Sequence, residues 1–193
     1  MQKFSAVLLA LALVAGPASA NPPAPPAEMA TIPVGLLVDV NSGRTLYARE
    51  PDRRFAPASM AKVMTAYVAF EEIGRRKLSP TQSFTVSDAT ARGWNGRGTS
   101  LYLKSGQMLD ADTLLRGIAT VSANDASVVL AEGHAGTVER WCALMNAEAK
   151  RLGMTGSHFA MPNGCPDGGA TYVTARDLVT LGEAIITRHP QAY

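Results

Sequence analysis

The sequence has 193 residues, of which 47% are hydrophobic, and it carries 18 lysines and arginines against 16 aspartates and glutamates. A chain of this length and apolar content can form one domain with a sizeable hydrophobic core, but it is too short for two domains that each have such a core. The net charge is +2, and the charged residues of both signs are spread along the chain. This argues against a nucleic-acid-binding protein, because such proteins need a sustained basic face.

The first 20 residues have the pattern of a secretory signal peptide. Lys3 supplies a positive charge, residues 4–16 form an apolar run, and Ala18-Ser19-Ala20 has the small residues of a cleavage site. The apolar run is shorter than the roughly 20 residues that a membrane-spanning helix needs, so we expect cleavage and no anchor. Residues 1–20 are therefore predicted to direct export, and the mature protein to be periplasmic or secreted with no spanning segment.

The mature chain is predicted to begin with a tether. Residues 21–33 contain five prolines, which lack backbone donors, and this favours extended structure. The folded domain then covers residues 34–193. Its first run, residues 34–40, is apolar and rich in β-formers, and Asn41-Ser42-Gly43 offers a turn before the next short run. A β-hairpin is expected here.

After the hairpin the apolar residues follow helical spacing from Ser59 to Gly74. Similar spacing and capping residues predict further helices, over residues 112–120, 125–132, 138–152 and 175–187. The glycine-rich segment 89–99 is predicted to be a loop. Two later segments resemble strands, residues 83–86 and 100–103. A hairpin followed by a mainly helical block indicates an α+β fold.

Two cysteines, Cys142 and Cys165, would meet an oxidising compartment and could pair there. Cys142 falls on a predicted helix and Cys165 in a loop rich in glycine and proline, so a disulfide and two separate, partly buried thiols both remain open, with the thiols favoured. No CxxC or HExxH pattern occurs, and the three histidines are scattered. We therefore expect no metal site and no cofactor.

The motif Ser59-Met60-Ala61-Lys62 carries the clearest chemistry. A serine hydroxyl needs a base to become a nucleophile, and a spacing of three along a helix puts both side chains on one face. Lysine can act as that base if burial lowers its pKa. The Ser-x-x-Lys pattern by itself is common in helices, where the serine is a helix cap and the lysine lies on the surface without a catalytic role. Its position after Pro57-Ala58, where a helix start can direct N–H groups at an oxyanion, makes it a catalytic candidate.

A second candidate is Ser122-Ala123-Asn124, which lies between two apolar helical segments. A hydroxyl and a carboxamide two residues apart can point into one cleft, where the hydroxyl relays a proton and the carboxamide orients a substrate amide. The same residues could equally be a helix cap for the segment that starts at Asp125.

Together these motifs resemble the penicillin-recognising serine enzymes, which have Ser-x-x-Lys, then Ser-x-Asn, then Lys-Thr-Gly. The surrounding sequence is similar to the low-molecular-mass D-Ala-D-Ala carboxypeptidases, in strings that include residues 57–65, 121–126, 152–154, Asn163-Gly164 and 174–178. The resemblance implies a β-lactamase/transpeptidase-like fold. It also implies roles for four residues: Ser59 as nucleophile, Lys62 as general base, Ser122 as proton relay and Asn124 as substrate binder. The expected ligands are a peptidoglycan stem peptide ending in D-Ala-D-Ala and, as inhibitors, β-lactams.

The third motif of the resemblance has no match at the expected place. Lys104-Ser105-Gly106 has the right letters, but it precedes Ser122 and lies in a predicted turn leading to a helix, so we expect it to be unrelated. The resemblance thus implies that the Lys-Thr-Gly strand and the closing strands of the sheet are missing from this chain. The catalytic domain would be incomplete and its activity reduced.

The leading hypothesis is a serine D,D-carboxypeptidase. A D,D-endopeptidase and a class A β-lactamase are related enzyme alternatives, although Ser-Ala-Asn in place of Ser-Asp-Asn and the lack of an assignable deacylating glutamate count against the lactamase. A hypothesis of a different class is a non-catalytic fragment that binds peptidoglycan or penicillin.

Overall fold

The structure, a computed structural model, describes residues 27–94 and 96–193. The predicted signal peptide and the first part of the tether lie outside the described residues. Within the predicted tether, Ala27–Thr31 form a short 3-10 helix instead of extended chain. Residues 27–32 contain no proline and therefore keep the backbone donors that such a turn requires.

Two small antiparallel sheets accompany a larger helical block. Strands and helices follow in the order β1 (Gly35–Val38), β2 (Thr45–Arg49), α1 (Ala61–Gly74), β3 (Ser83–Thr85), α2 (Asp88–Trp94), β4 (Met108–Asp110), α3 (Ala111–Val121), α4 (Asn124–Ala135), α5 (Val138–Leu152) and α6 (Ala175–Arg188). β1 pairs with β2, and β3 pairs with β4. Among the described residues, no helix is long and apolar enough to cross a membrane.

The predicted hairpin is present as β1 and β2. Asp39 shapes its turn by accepting a hydrogen bond from the Asn41 N–H at 2.9 Å, and Gly43 adopts the positive φ of 68° that the turn requires. The exposed fraction of Leu37 on β1 is 53%, so part of the apolar surface of this sheet faces solvent.

Helix α1 lies at the centre of the helical block and contacts α3, α5 and α6. The side chains with the largest buried volume come from several of these elements and form one core: Trp141, Tyr67, Phe159, Met64, Leu114 and Leu130. Three caps begin their helices by accepting backbone N–H groups, namely Asp110, Thr137 and Thr174. The helices expected from the sequence are therefore present.

The expectation of a loop over residues 89–99 is wrong in its first half, because α2 occupies Asp88–Trp94. The Ser87 hydroxyl accepts the Thr90 N–H at 3.0 Å and supplies the cap. The Thr90 hydroxyl then donates to Glu132 on α4 at 2.7 Å and fixes the helix to the core. Gly96 and Gly98, which suggested a loop, follow the helix with positive φ.

The strand predicted over residues 100–103 is absent, and β4 forms later, at Met108–Asp110. The N–H groups of Leu101 and Leu103 donate to the buried Asp125 carboxylate at 3.0 and 3.1 Å, so they are not available to a neighbouring strand. Tyr102 between them has a φ of 56°, which is incompatible with an extended strand.

Lys104-Ser105-Gly106 forms a turn directly before β4. The Gly106 N–H donates to Val86 O at 3.0 Å, and the Ser105 hydroxyl bonds to Asp88 on α2. All three residues of the turn are exposed. The motif is therefore an exposed turn that leads into β4, and its lack of relation to Lys-Thr-Gly stays a prediction.

Candidate active site

Ser59 lies where the chain enters α1. A single 3-10 turn, Ala58–Met60, leads into the helix, and the serine is exposed to solvent. Because Lys62 follows three residues later, both side chains lie on one face of the turn. Lys62 Nζ and Ser59 Oγ are 3.1 Å apart, within hydrogen-bonding distance. The structure thus brings together the two side chains that the sequence predicts as nucleophile and base.

Lys62 is only 4% exposed, which is unusual for a lysine. Burial disfavours the charged ammonium and lowers the pKa of Lys62, an effect that the nearby Cys165 thiol partly opposes. Its Nζ donates to the backbone carbonyl of Asn163 at 2.8 Å. A neutral amine has two hydrogens and a lone pair, so Lys62 can keep this bond while its lone pair accepts the Ser59 proton.

Gly164 allows the segment that holds Lys62 to approach the turn that carries Ser59. The residue has a φ of 71°, and a Cβ added to it would lie 1.8 Å from Ala58 O. A side chain at this position would push the two segments apart. In the sequence, Asn163-Gly164 is one of the strings that carry the resemblance, and neither residue is predicted there to belong to the site.

Ser122 ends α3 in the left-handed conformation, with φ 57° and ψ 39°. Its carbonyl accepts a hydrogen bond from the Thr99 hydroxyl at 2.8 Å. Among the described residues, its own hydroxyl makes no hydrogen bond to Ser59 or Lys62. The role of Ser122 as a proton relay stays a prediction.

Asn124 begins α4 and is 6% exposed. Its Nδ2 donates to Arg97 O at 2.8 Å, and its backbone N–H donates to Thr99 O at 2.9 Å. The N-cap of α4 is Ala123, which has no side-chain cap bond, so neither Ser122 nor Asn124 caps this helix with its side chain. Asn124 instead holds the loop before it in place and borders a cavity.

Two cavities meet at Cys165. One, of about 490 Å³, is lined by Asn124, Arg97 and Met161 among others, and the other, of about 340 Å³, is lined by Pro57 and Ala58 next to the nucleophile. Cys165 and Pro166 line both cavities, so the two cavities adjoin at this segment. Of the four predicted site residues, Asn124 is the one that lines either of these two cavities.

Cys142 and Cys165 are both free thiols in the structure. Cys142 is buried on α5, and burial raises its pKa to about 11. Cys165 is half-buried, and burial also raises its pKa, whereas the cations of Lys62 and Arg97 act in the opposite direction.

Asp125, adjacent to Asn124, has a structural role that its position in the sequence does not reveal. Its carboxylate is 2% exposed and accepts hydrogen bonds from the Ser100 hydroxyl at 2.6 Å and from the backbone of residues 101 and 103. A buried carboxylate is stable only when several donors hydrogen-bond to it, so Asp125 fixes the position of the segment that supplies those donors. Within residues 27–94 and 96–193 there is no cluster of three or more side chains that could hold a metal ion.

Comparison with known proteins agrees with this geometry. A family profile described as D-alanyl-D-alanine carboxypeptidase matches residues 21–193. The D-alanyl-D-alanine carboxypeptidases DacC and DacA of Escherichia coli (strain K12) are each 37% identical to this chain over 161 residues, which covers 82% of this chain and 40% of each relative. The chain therefore spans about two fifths of the length of these relatives.

Solved structures share the fold. The D-alanyl-D-alanine carboxypeptidase DacD from Francisella tularensis superposes with a TM-score of 0.78 at 36% identity, over 83% of this chain and 38% of that one. Penicillin-binding protein 6B from Escherichia coli superposes with a TM-score of 0.78 at 31% identity, over 89% of this chain and 54% of that one. The ampicillin-bound penicillin-binding protein D2 from Listeria monocytogenes superposes with a TM-score of 0.71 at 27% identity, over 82% of this chain and 63% of that one. The predicted α+β, transpeptidase/β-lactamase-like fold is confirmed, and the chain belongs to the D-alanyl-D-alanine carboxypeptidase family, peptidase S11.

Proposed function

We propose that this chain carries the nucleophile and base of a serine D-Ala-D-Ala carboxypeptidase, which removes the terminal D-alanine from peptidoglycan stem peptides. The observation that carries the proposal is the 3.1 Å contact between Ser59 Oγ and the Nζ of a lysine that is 4% exposed. A buried amine with a lowered pKa beside an exposed hydroxyl is the arrangement that nucleophilic catalysis by serine requires.

In the acylation step, Ser59 Oγ attacks the carbonyl carbon of the penultimate D-alanine, and its proton moves to the neutral amine of Lys62. The tetrahedral intermediate collapses when the C–N bond breaks. The departing D-alanine takes a proton through Ser122, and the peptide remains as an ester on Ser59. Asn124, which lines the cavity of about 490 Å³, holds the peptide side chain of the substrate.

In the deacylation step, water attacks the ester carbonyl and gives its proton to Lys62, and the Ser59 oxygen leaves and regains that proton. The products are the shortened peptide and free enzyme. A β-lactam reacts in the same way at its ring amide, but its leaving group stays attached and the ester decays slowly. Penicillin-binding protein D2 from Listeria monocytogenes, which has been solved with ampicillin and with cefotaxime, supports this part of the proposal.

The proposed substrate lies in the cell wall, so the protein must be exported. The signal-peptide pattern of residues 1–20 supports export to the periplasm, as does the carboxypeptidase family of the relatives. The same segment predicts that the mature protein begins at Asn21.

The test is covalent labelling of the chain with a fluorescent penicillin, followed by an assay of D-alanine release from a D-Ala-D-Ala peptide by the chain extended with the C-terminal part of a longer relative. Ser59→Ala should abolish the label, because no other described hydroxyl is paired with a buried lysine at a helix start. A label that persists on Ser59→Ala, or a parent protein that is never labelled even after long incubation, would refute the proposal. Turnover of nitrocefin would indicate a β-lactamase instead.

A further inference from the structure

The cavity of about 490 Å³ beside Asn124 combines one cation with an apolar lining. Of the described residues that line it, Arg97 is the charged one, and none is an aspartate or a glutamate. Trp94, Met161 and Pro166 supply apolar surface, and Asn124 supplies a carboxamide. Sites for small ligands have this composition, in which a few polar groups converge in a mostly apolar cleft.

The segment that carries Arg97 is fixed to the start of α4. The Arg97 carbonyl accepts a hydrogen bond from Asn124 Nδ2 at 2.8 Å, and the Thr99 carbonyl accepts one from the Asn124 N–H at 2.9 Å. Gly98 packs against the same carboxamide, since a Cβ added to it would lie 2.9 Å from Asn124 Nδ2. The Arg97 side chain therefore leaves the backbone next to the residue that is predicted to bind substrate.

The guanidinium of Arg97 has no partner in the described part of the chain. It makes neither a hydrogen bond nor an ion pair there, whereas the nearby Arg92 pairs with Asp88. Its charge is felt at the cavity wall: burial raises the pKa of the Cys165 thiol, and the cations of Lys62 and Arg97 oppose that effect. An unpaired guanidinium offers a planar fork of N–H donors, which matches the two oxygens of a carboxylate.

The cavity adjoins the turn that carries Ser59. Cys165 lines it and also lines the cavity of about 340 Å³ next to Ala58. Gly164, the residue before Cys165, lies so close to this turn that an added Cβ would be 1.8 Å from the Ala58 carbonyl oxygen. The side chain of an acyl group held on Ser59 can therefore extend past Cys165 toward Arg97.

We propose that Arg97 binds a carboxylate on the side chain of the acyl group and so selects stem peptides in which the residue before D-Ala-D-Ala ends in a carboxylate. This inference rests on the proposed function and names its substrate class. The guanidinium pairs with the carboxylate, while Trp94 and Met161 contact the apolar part of the same side chain. A side chain that ends in an ammonium meets like charge, and one that ends in an amide forms weaker, uncharged hydrogen bonds.

Three penicillins that differ in one terminal group test the proposal. They carry the adipoyl, the adipamoyl and the ε-aminocaproyl side chain, which end in a carboxylate, an amide and an ammonium. Each competes with a fluorescent penicillin for Ser59, and the loss of label gives its rate of acylation. The parent should react with the carboxylate probe about tenfold faster than with the amide probe, because hydrogen bonds between charged groups are the stronger ones. The ammonium probe should react more slowly still.

Two variants of Arg97 and one control assign the preference. Arg97→Gln should bring the ratio of the carboxylate rate to the amide rate down to about one, and Arg97→Glu should make the ammonium probe faster than the carboxylate probe. Both variants should fold, because the Arg97 side chain has no partner to lose among the described residues. Arg92→Gln is the matched control and should leave the ratio unchanged, since Arg92 is exposed on α2 and does not line the cavity.

A ratio that Arg97→Gln leaves at the parental value would overturn the inference while leaving the proposed function intact. Equal slowing of all three probes would also overturn it, because they share the ring carboxylate of penicillin and Arg97 would then serve that group or the fold. An equal fall of the ratio in Arg92→Gln would assign the preference to the long-range charge of the protein, against the inference. A parent protein that no penicillin labels would overturn the proposed function and the inference together.

Discussion

Replacing Gly164 by alanine should disturb both the stability and the chemistry of the site. The new Cβ would lie 1.8 Å from Ala58 O and 2.9 Å from the Cβ of Ala61, so the loop must retreat from the Ser59 turn by more than about 1 Å. Overpacking of this kind costs about 1–3 kcal/mol. The φ of 71° adds about 1–2 kcal/mol for a residue with a side chain. A shift of this size at the reacting groups should slow acylation about 100-fold.

Gly168→Ala is the matched control in the same loop. Gly168 has a φ of 73°, but nothing lies within 4 Å of the added Cβ. This variant should therefore lose only the conformational contribution, about 1–2 kcal/mol, and should acylate normally. Urea unfolding measures the free energy of unfolding, and the initial rate of fluorescent-penicillin labelling measures acylation. If both glycine variants gave the same values in both assays, the close approach of Gly164 to Ala58 would not matter for the site.

Three further predictions concern single groups. Lys62→Arg should slow acylation by at least about 100-fold, because a guanidinium stays charged and cannot accept the serine proton. The acylation rate of the parent should rise with pH and level off below the ordinary lysine pKa of 10.5, because burial lowers the pKa of Lys62. An acylation rate that does not change with pH would contradict the role of Lys62 as base. Asp125→Asn should cost about 2–3 kcal/mol in urea unfolding, because an NH2 group would face buried backbone donors, and an unchanged midpoint would contradict this. Thiol counting on denatured, unreduced protein should find both cysteines free, and N-ethylmaleimide should modify the native protein at Cys165 before Cys142, whose pKa is raised to about 11.

Features that depend on neighbouring residues could be predicted from the sequence. The spacing of Ser59 and Lys62 is set within one helical turn, and Thr137 and Thr174 cap their helices through bonds to N–H groups three residues away. The hairpin turn at Asp39 is local in the same way. In each case the bond partners lie close enough in the chain for residue type and spacing to identify them.

Features that depend on distant residues were missed. Segment 100–103 has strand-like composition, but the buried carboxylate of Asp125, more than 20 residues later, captures its backbone donors. Likewise, 101 residues separate Lys62 from the carbonyl of Asn163 that it contacts. Sequence spacing carries no information about such contacts, because they exist only after the helices have packed.

The last prediction concerns the chain expressed by itself as residues 21–193. Apolar side chains face solvent on and near the two-stranded β1–β2 sheet: Leu37 on β1 is 53% exposed, Val40 in the turn 47% and Met60 before α1 45%. A small sheet with open edges and exposed apolar side chains favours association with other chains. The resemblance to longer relatives also implies a Lys-Thr-Gly strand that forms one wall of the cleft and supplies a donor to the oxyanion, and loss of one such donor lowers the rate about 10²–10³-fold.

We therefore expect residues 21–193 to be labelled slowly by penicillin, to release no measurable D-alanine from a D-Ala-D-Ala peptide, and to associate on size-exclusion chromatography. A chimera that joins residues 21–193 to the remaining C-terminal part of the 37% identical Escherichia coli relative DacC should recover both reactions and elute as a discrete species. Ser59→Ala in each protein gives the background for labelling. A 21–193 chain that is monomeric and turns over peptide as fast as the chimera would contradict this expectation, because residues 21–193 would then form a complete catalytic cleft without a further strand.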